Sequence, residues 1–187
     1  MKKALTLLAF GILAACGGAE SQNTAIAAAA PDAAAYSEFN TQATIRDVMN
    51  ALIDINADLL WNSVRAEANE TGYHEYQPET DEEWLALRYA AVSIIEGGNA
   101  LMIPGRRVAP PGSTTEFPLY EYLPDEVQAK LDEDRIAWDG FAQGLQAAAV
   151  QLLDAVNNRD VEKLSEYGAL LDEACESCHL NYWYRPE

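Results

Sequence analysis

Cys175, Cys178 and His179 are the residues of this chain whose types and spacing define a chemistry. Two thiols three residues apart, followed at once by an imidazole, form the C-x-x-C-H signature of c-type haem attachment. The thiols add across the two vinyl groups of the haem, and the histidine binds the iron. On a helix, residues i, i+3 and i+4 share one face, so the three side chains would reach one flat ligand. The spacing therefore predicts one covalent haem c, attached through Cys175 and Cys178, with His179 as the proximal iron ligand.

Other uses of paired cysteines fit this sequence less well. A thioredoxin-like C-x-x-C belongs to a βαβ context, and a structural disulfide gives the adjacent histidine no role. A zinc site needs about four ligands, whereas the chain has three cysteines and two histidines in all. The second histidine, His74, lies in a polar connector and is interpreted as a solvent-exposed loop residue. We find no Ser/His/Asp set, phosphate loop or catalytic carboxylate pair to assign, and we expect an electron carrier rather than an enzyme.

The third cysteine, Cys16, follows an N-terminal stretch that is typical of an exported protein. Lys2 and Lys3 precede an apolar run, Ala4 to Ala14, that is shorter than the ~20 apolar residues of a transmembrane helix. The sequence LAAC, ending at Cys16, resembles a bacterial lipobox, which implies cleavage before Cys16 and a diacylglycerol on its sulfur. We therefore expect a signal peptide over residues 1–15 and a lipid anchor on the periplasmic side of the inner or outer membrane. The alternative is an ordinary signal peptide with a chance cysteine, and it also leads across the inner membrane, where c-type haem is attached.

The rest of the chain divides into a tether and one domain. Residues 16–37 are small and Ala-rich, and they have too little bulk to bury a core, so we expect a flexible tether. Residues 38–187 have the length of one domain. The sequence contains 12 basic and 30 acidic residues, a formal charge of −18 at pH 7. Such a surface repels nucleic acid and favours a basic protein partner, which we expect to be a redox protein.

The apolar spacing of the domain is helical throughout and predicts an all-α fold without strands. A first helix over residues 39–68 is followed by a second, which a capping box from Thr80 to Glu83 begins and which stops before Pro104. A loop over residues 106–124 leads to a third helix, and Asp160 is the expected N-cap of a fourth. The expected core faces are, in order, Ile45, Val48, Leu52, Ile55 and Leu59; Trp84, Leu87, Ala91, Ile94 and Leu101; Trp138, Phe141, Leu145, Ala148, Leu152 and Val156; and Leu164, Gly168, Leu171, Cys175, Cys178 and Tyr182. The haem cysteines thus continue the last core stripe, which predicts an antiparallel four-helix bundle with haem between facing helices.

A four-helix chain with C-x-x-C-H in its last helix resembles the cytochrome c′ family. The resemblance covers most of residues 40–187, and it includes the aromatic Tyr182 three residues after His179. Trp183 departs from the pattern, because a basic residue usually follows that aromatic, and the long second interhelical loop is also atypical. The resemblance implies a divergent monohaem cytochrome that carries single electrons, and it implies association of two copies through their first helices.

In this family a residue of the first helix lies over the distal face of the haem, and Met49 takes that position here. A methionine ligand implies six-coordinate iron and electron transfer, whereas Leu or Phe would leave five-coordinate iron that binds nitric oxide or other small gases. Met49 has core filling as its alternative role, as is common for a lone methionine on a helix stripe. A third interpretation is a partner-binding lipoprotein in which the haem is structural.

Four further residues are candidates for the haem pocket. Arg46, one turn before Met49, resembles the family's first-helix arginine and would bind a haem propionate by charge-assisted hydrogen bonds, with a surface ion pair to Asp47 as its alternative. Arg106, beside Arg107 in the loop after the second helix, is a second propionate candidate. Trp138 and Tyr182 are expected to pack against the macrocycle, although core filling alone also explains Trp138.

Overall fold

The computed structural model describes residues 39–186, most of which are helical. The elements are α1 (residues 45–63), a hairpin of β1 (Arg65–Asn69) and β2 (Gly72–Tyr76), α2 (Asp81–Leu101), α3 (Pro124–Glu133), α4 (Arg135–Asn158) and α5 (Val161–Tyr182). The prediction of a helical fold is confirmed, whereas the prediction that it contains no strand is wrong at the hairpin. The predicted signal peptide, the lipidation residue Cys16 and the tether up to residue 37 lie outside the described residues.

The middle of α1 is wound more widely than an α-helix. Its ends, Ile45–Val48 and Ile55–Ser63, are α-helical, and Met49–Asp54 between them forms a π-helix. Because a π-turn takes up one residue more than an α-turn, the buried face moves on by one position. Beyond Val48 the buried residues are Ile53, within the π-helix, and Ala57 and Leu60, after it, whereas the expected Leu52, Ile55 and Leu59 are exposed. The predicted core stripe of this helix is therefore right up to Val48 and wrong beyond it.

The hairpin shortens the first helix, which was expected to continue to residue 68. The strands pair antiparallel from Arg65 with Tyr76 to Asn69 with Gly72. The side chain of Asn69 accepts a hydrogen bond from the Thr71 N–H at 2.9 Å, and Gly72 has a φ of 127°, so local turn chemistry closes the hairpin. His74, predicted in a loop, is a half-buried residue of β2.

Side-chain caps determine where the later helices begin. At the start of α2 the Thr80 N–H donates to Glu83 Oε2 at 2.8 Å and the Glu83 N–H donates to Thr80 Oγ1 at 3.2 Å, which confirms the capping box. Asp160 caps α5 by accepting the Lys163 N–H at 3.0 Å, also as predicted. Asp134 divides the expected third helix in two: its φ of −136° and ψ of 77° are not helical, and its carboxylate caps α4. The described residues therefore contain five helices, where the sequence predicted four.

The long helices pack around one apolar core. α2 lies against α4, α4 lies against α5, and α1 contacts both α2 and α5. The expected faces of α2, α4 and α5 are buried or half-buried, as predicted. Gly97 lets α1 approach α2 closely, because a Cβ at that position would lie 2.7 Å from Ile53 Cγ1. Over residues 39–186, each helix is too short or too polar to span a membrane.

Candidate functional site

A cavity of about 450 Å³ is bordered by α1, α4, the C-terminal part of α5 and the loop that precedes α3. Cofactor and small-molecule sites have volumes of about 300–1,000 Å³. The cavity brings together side chains that are far apart in the sequence. Among the residues that line it are Arg46 and Met49 of α1, Trp138 and Phe141 of α4, and Cys175, Cys178 and His179 of α5.

Cys175 and Cys178 lie on the cavity-facing side of α5. This helix is continuous from Val161 to Tyr182, so the i, i+3 spacing holds both side chains on one face. Both cysteines are free thiols. Burial raises the pKa of Cys175 to about 11 and that of Cys178 to about 12, so both are neutral near pH 7. Disulfide-exchange sites have thiols of lowered pKa, and this pair is the opposite.

His179 lies beside the thiols, at the last turn of α5. Burial lowers the pKa of the imidazole, while the charges of Glu176 and Asp54 act in the opposite direction. The neutral ring is the form that binds a metal. The rings of Trp183 and His179 meet edge to face with 4.8 Å between centroids, and the Trp183 backbone N–H donates to the His179 carbonyl at 2.7 Å. The aromatic residue that follows α5 therefore helps to hold the histidine.

Met49 lines the cavity from α1, at the first position of the π-helix. It is half-buried and packs against the core. The start of α1 is held by the loop that follows α2, because the N–H groups of Ile45 and Arg46 donate to the carbonyls of Arg107 and Val108 at 2.8 and 3.0 Å. These bonds satisfy donors that a helix N-terminus otherwise leaves unpaired. The position of Met49 in the cavity wall thus depends on a long-range contact as well as on its own helix.

Arg46 also lines the cavity. Its Nη2 donates to the Thr114 carbonyl at 3.0 Å, one of the five N–H donors of the guanidinium. The carboxylate of Asp47, its alternative partner, accepts instead from the N–H and hydroxyl of Thr44 at 2.8 and 2.7 Å. Arg46 is therefore placed where it could reach an anionic group in the cavity.

Arg106, the second propionate candidate, has a different environment. Its side chain is outside the cavity lining, and the residue is only 6% exposed. Its Nε donates to the Ala100 carbonyl at 2.9 Å, and the guanidinium also donates to the carbonyls of Ala43 and Asn40. Arg106 joins the end of α2 to the chain before α1, and this placement does not support the predicted propionate role.

The two predicted pocket aromatics contact each other in the lining of the cavity. Trp138 and Tyr182 are buried, and their rings meet edge to face with 4.9 Å between centroids. Phe141 packs on the same tyrosine at 5.8 Å, and the Trp138 indole N–H donates to the Leu101 carbonyl at 3.0 Å. The polar tip of the tryptophan is thus satisfied, and its apolar face is available to a ligand.

The loop before α3 supplies a wall that the sequence did not predict. Residues of this wall include Thr114, Thr115, Glu116, Glu121 and Tyr122. The loop is joined to the end of the chain, because the Tyr122 N–H donates to the Trp183 carbonyl at 2.7 Å and Glu121 forms a β-bridge with Tyr184. These contacts depend on the tertiary path of an aperiodic segment. The sequence indicated only that Trp183 and the long loop depart from the cytochrome c′ pattern, and neither departure predicts these contacts.

Two thiols and an imidazole on one wall, a thioether on another and an apolar lining suit a haem. Within residues 39–186 no three His, Cys, Asp or Glu side chains converge to hold a metal ion. The porphyrin supplies four nitrogen ligands to a haem iron, so the protein needs to provide only one or two more. The imidazole of His179 and the thioether of Met49 are donors of the right number and type. Comparisons with protein-family models, with curated proteins and with solved structures find no match to this chain.

Proposed function

We propose that this protein is a c-type monohaem cytochrome that carries single electrons, in which α1, α2, α4 and α5 form a divergent cytochrome c′-like four-helix bundle. One observation carries the proposal: Met49, near the beginning of the described chain, lines the same cavity as Cys175, Cys178 and His179, near its end. The C-x-x-C-H motif predicts the haem, and the shared cavity supports Met49 as the second iron ligand.

Each of these side chains has a defined role in the proposal. Cys175 and Cys178 would hold the haem by thioether bonds, each formed when an S–H group adds across a vinyl double bond. His179 would bind the iron from α5, and Met49 would bind it from α1. The haem would supply a one-electron iron couple. A His/Met ligand pair would give it a higher reduction potential than a bis-His pair.

The remaining pocket residues determine how much water and how much charge lie next to the proposed haem. Trp138, Phe141 and Tyr182 exclude water from the inner wall of the cavity. Arg46 would neutralise a propionate, and the carboxylates of Glu116 and Glu121 lie at the cavity wall. Burial and nearby charge of this kind are the means by which a protein adjusts a redox potential.

Covalent attachment provides the direct test. The chain, produced with a c-type haem maturation system, should gain the mass of one haem and keep its haem stain on a denaturing gel. The variant Cys175→Ala/Cys178→Ala should carry no covalent haem. A wild-type chain that stays unmodified, beside a control cytochrome that is matured in the same cells, would overturn the proposal.

The visible spectrum of the reduced protein separates the alternatives. We expect a sharp low-spin α-band that carbon monoxide does not change, because both axial positions are filled. A broad high-spin spectrum that carbon monoxide shifts at once would instead support the five-coordinate, gas-binding protein. A folded, partner-binding Cys175→Ala/Cys178→Ala variant would support the third interpretation, a structural haem.

We also propose that the protein works on the periplasmic side of a bacterial membrane, anchored by lipid on Cys16. This part of the proposal rests on the sequence of residues 1–16 alone. It is consistent with haem attachment, since that reaction takes place after export.

A further inference from the structure

Beside the cavity, the loop before α3 and the residues after α5 expose large apolar side chains. We define the aromatic surface as Phe117, Leu119, Tyr120 and Trp183, all of which are exposed. Leu119 and Tyr120 are the most accessible, with 83% and 71% of their surface exposed. Four large apolar side chains exposed on two neighbouring segments mark a candidate binding surface.

The two segments that carry the aromatic surface are joined by hydrogen bonds. The Arg185 N–H donates to the Tyr120 carbonyl at 2.7 Å, and the Tyr122 N–H donates to the Trp183 carbonyl at the same distance. The Arg185 side chain donates to the Glu121 carbonyl at 2.9 Å and pairs with Glu126. The exposed side chains are therefore presented by backbone that is held in place, which lowers the entropy cost of binding.

The aromatic surface borders the proposed haem site. Trp183 belongs to both, because its side chain lines the cavity and its ring contacts the imidazole of His179 at 4.8 Å between centroids. A protein bound at this surface would therefore contact Trp183 and lie close to His179, the proposed proximal ligand.

Two exposed acidic side chains lie near the aromatic surface. Glu116 is exposed at the cavity wall, and Glu176 is exposed on the last turns of α5. Tyr184, which forms a β-bridge with Glu121, stacks on the Trp183 ring with 5.4 Å between centroids. Of the nearby cations, Arg185 is paired with Glu126 and Lys130 lies over the Tyr122 ring at 4.3 Å, whereas the whole chain carries a formal charge of −18. The exposed glutamates and the negative net charge therefore attract a positively charged protein and repel a negatively charged one.

We propose that the aromatic surface is the docking site for a basic redox protein. The inference rests on the proposed function, since it gives a location and a chemistry to the expected redox partner. Apolar contact at the aromatic surface supplies affinity. The acidic side chains near it increase the association rate with a basic protein and disfavour acidic ones.

The test measures binding without electron transfer. The probe is a mitochondrial-type cytochrome c in which zinc replaces iron, a small basic protein that cannot exchange electrons in the dark. Titration of the haem-loaded mature protein with this probe, followed by NMR, gives Kd for the wild type and for Leu119→Ser/Tyr120→Ser. The matched control is Leu85→Ser/Tyr89→Ser on α2, which changes the same two residue types at positions that are 46% and 58% exposed.

We expect the Leu119→Ser/Tyr120→Ser variant to bind at least about tenfold more weakly, because central apolar residues dominate interface affinity. The control variant should stay within about twofold of the wild type. Equal affinity of the two variants, or no binding by the wild type, would overturn the inference. Wild-type binding to phosphatidylcholine vesicles that the Leu119/Tyr120 variant loses would also overturn it, by assigning the surface to a membrane. Haem staining of the same samples shows separately whether the proposed function fails.

Discussion

In the proposed cytochrome, Met49 is the residue that would decide between electron transfer and gas binding. We expect Met49→Ala to convert the sharp low-spin spectrum of the reduced protein into a broad high-spin one that carbon monoxide shifts, because the iron would lose an axial ligand. The control is Met102→Ala, which removes the half-buried methionine at the end of α2 and should leave the spectrum unchanged. A low-spin Met49→Ala protein would show that the assigned ligand is wrong.

Substitution of Arg46 and of Arg106 should distinguish a residue of the haem pocket from a residue that stabilises the fold. Arg106→Gln should lower the free energy of unfolding by about 2–4 kcal/mol, because it removes a buried donor that serves three carbonyls and leaves buried acceptors without a partner. Arg46→Gln should change that free energy by less than about 1 kcal/mol, since this side chain is partly exposed.

Potentiometry completes the comparison of the arginines. Loss of the Arg46 cation from the cavity wall should lower the haem midpoint potential, because a nearby positive charge favours the reduced iron. Urea unfolding followed by circular dichroism gives the stabilities. A potential that responds to Arg106→Gln but not to Arg46→Gln would return the propionate role to Arg106.

At the scale of the elements, features that depend on neighbouring residues could be predicted from the sequence, whereas features that depend on contacts between helices could not. The caps at Thr80 and Asp160 could be predicted because each depends on a side chain and an N–H three residues away. The π-helix in α1 could not, because Leu52 and Ile53 are adjacent and apolar, as are Leu59 and Leu60. Periodicity alone cannot choose between the two registers that these pairs allow, and the contact with α2 makes the choice.

The same division applies to the candidate site. The α5 wall was predictable, since Cys175 and Cys178 continue a helical stripe that the sequence displays. The loop wall with Glu121 and Tyr122 was not, because an aperiodic segment gives no sign of where its backbone will pair. The hairpin was missed for a related reason, since its exposed strands bury no apolar face that would mark them.

Gly97 tests the contact that selects the register of α1. An added methyl group would lie 2.7 Å from Cγ1 of the buried Ile53, so Gly97→Ala should force a shift that costs about 1–3 kcal/mol, more than the helix propensity it gains. Gly140→Ala on the exposed face of α4 meets nothing within 4 Å and should stabilise the protein by up to about 1 kcal/mol. Thermal unfolding measures both, and a stabilised Gly97→Ala protein would show that Ile53 is free to move.

At the scale of the whole molecule, the proposed anchor determines where this acidic protein meets its partners. Cys16→Ser should move the protein from the membrane fraction to the soluble periplasmic fraction, because a transferred diacylglycerol needs the thiol of Cys16. Mass spectrometry of the N-terminal peptide should show the lipid on the wild type only. A Cys16→Ser protein that remains with the membrane would point to retention by the uncleaved signal or by another surface.

The extra residue in the wide turn of α1 gives the chain a tolerance for shortening. A single deletion within a packed helix normally rotates every later side chain by about 100°. Removal of the exposed Ala51 should instead convert Met49–Asp54 to ordinary α-helical winding, while Ile53, Ala57 and Leu60 keep their places in the core. Two chain lengths would then be compatible with one packed structure, and a thermal unfolding temperature for the Ala51 deletion close to that of the full chain would show it.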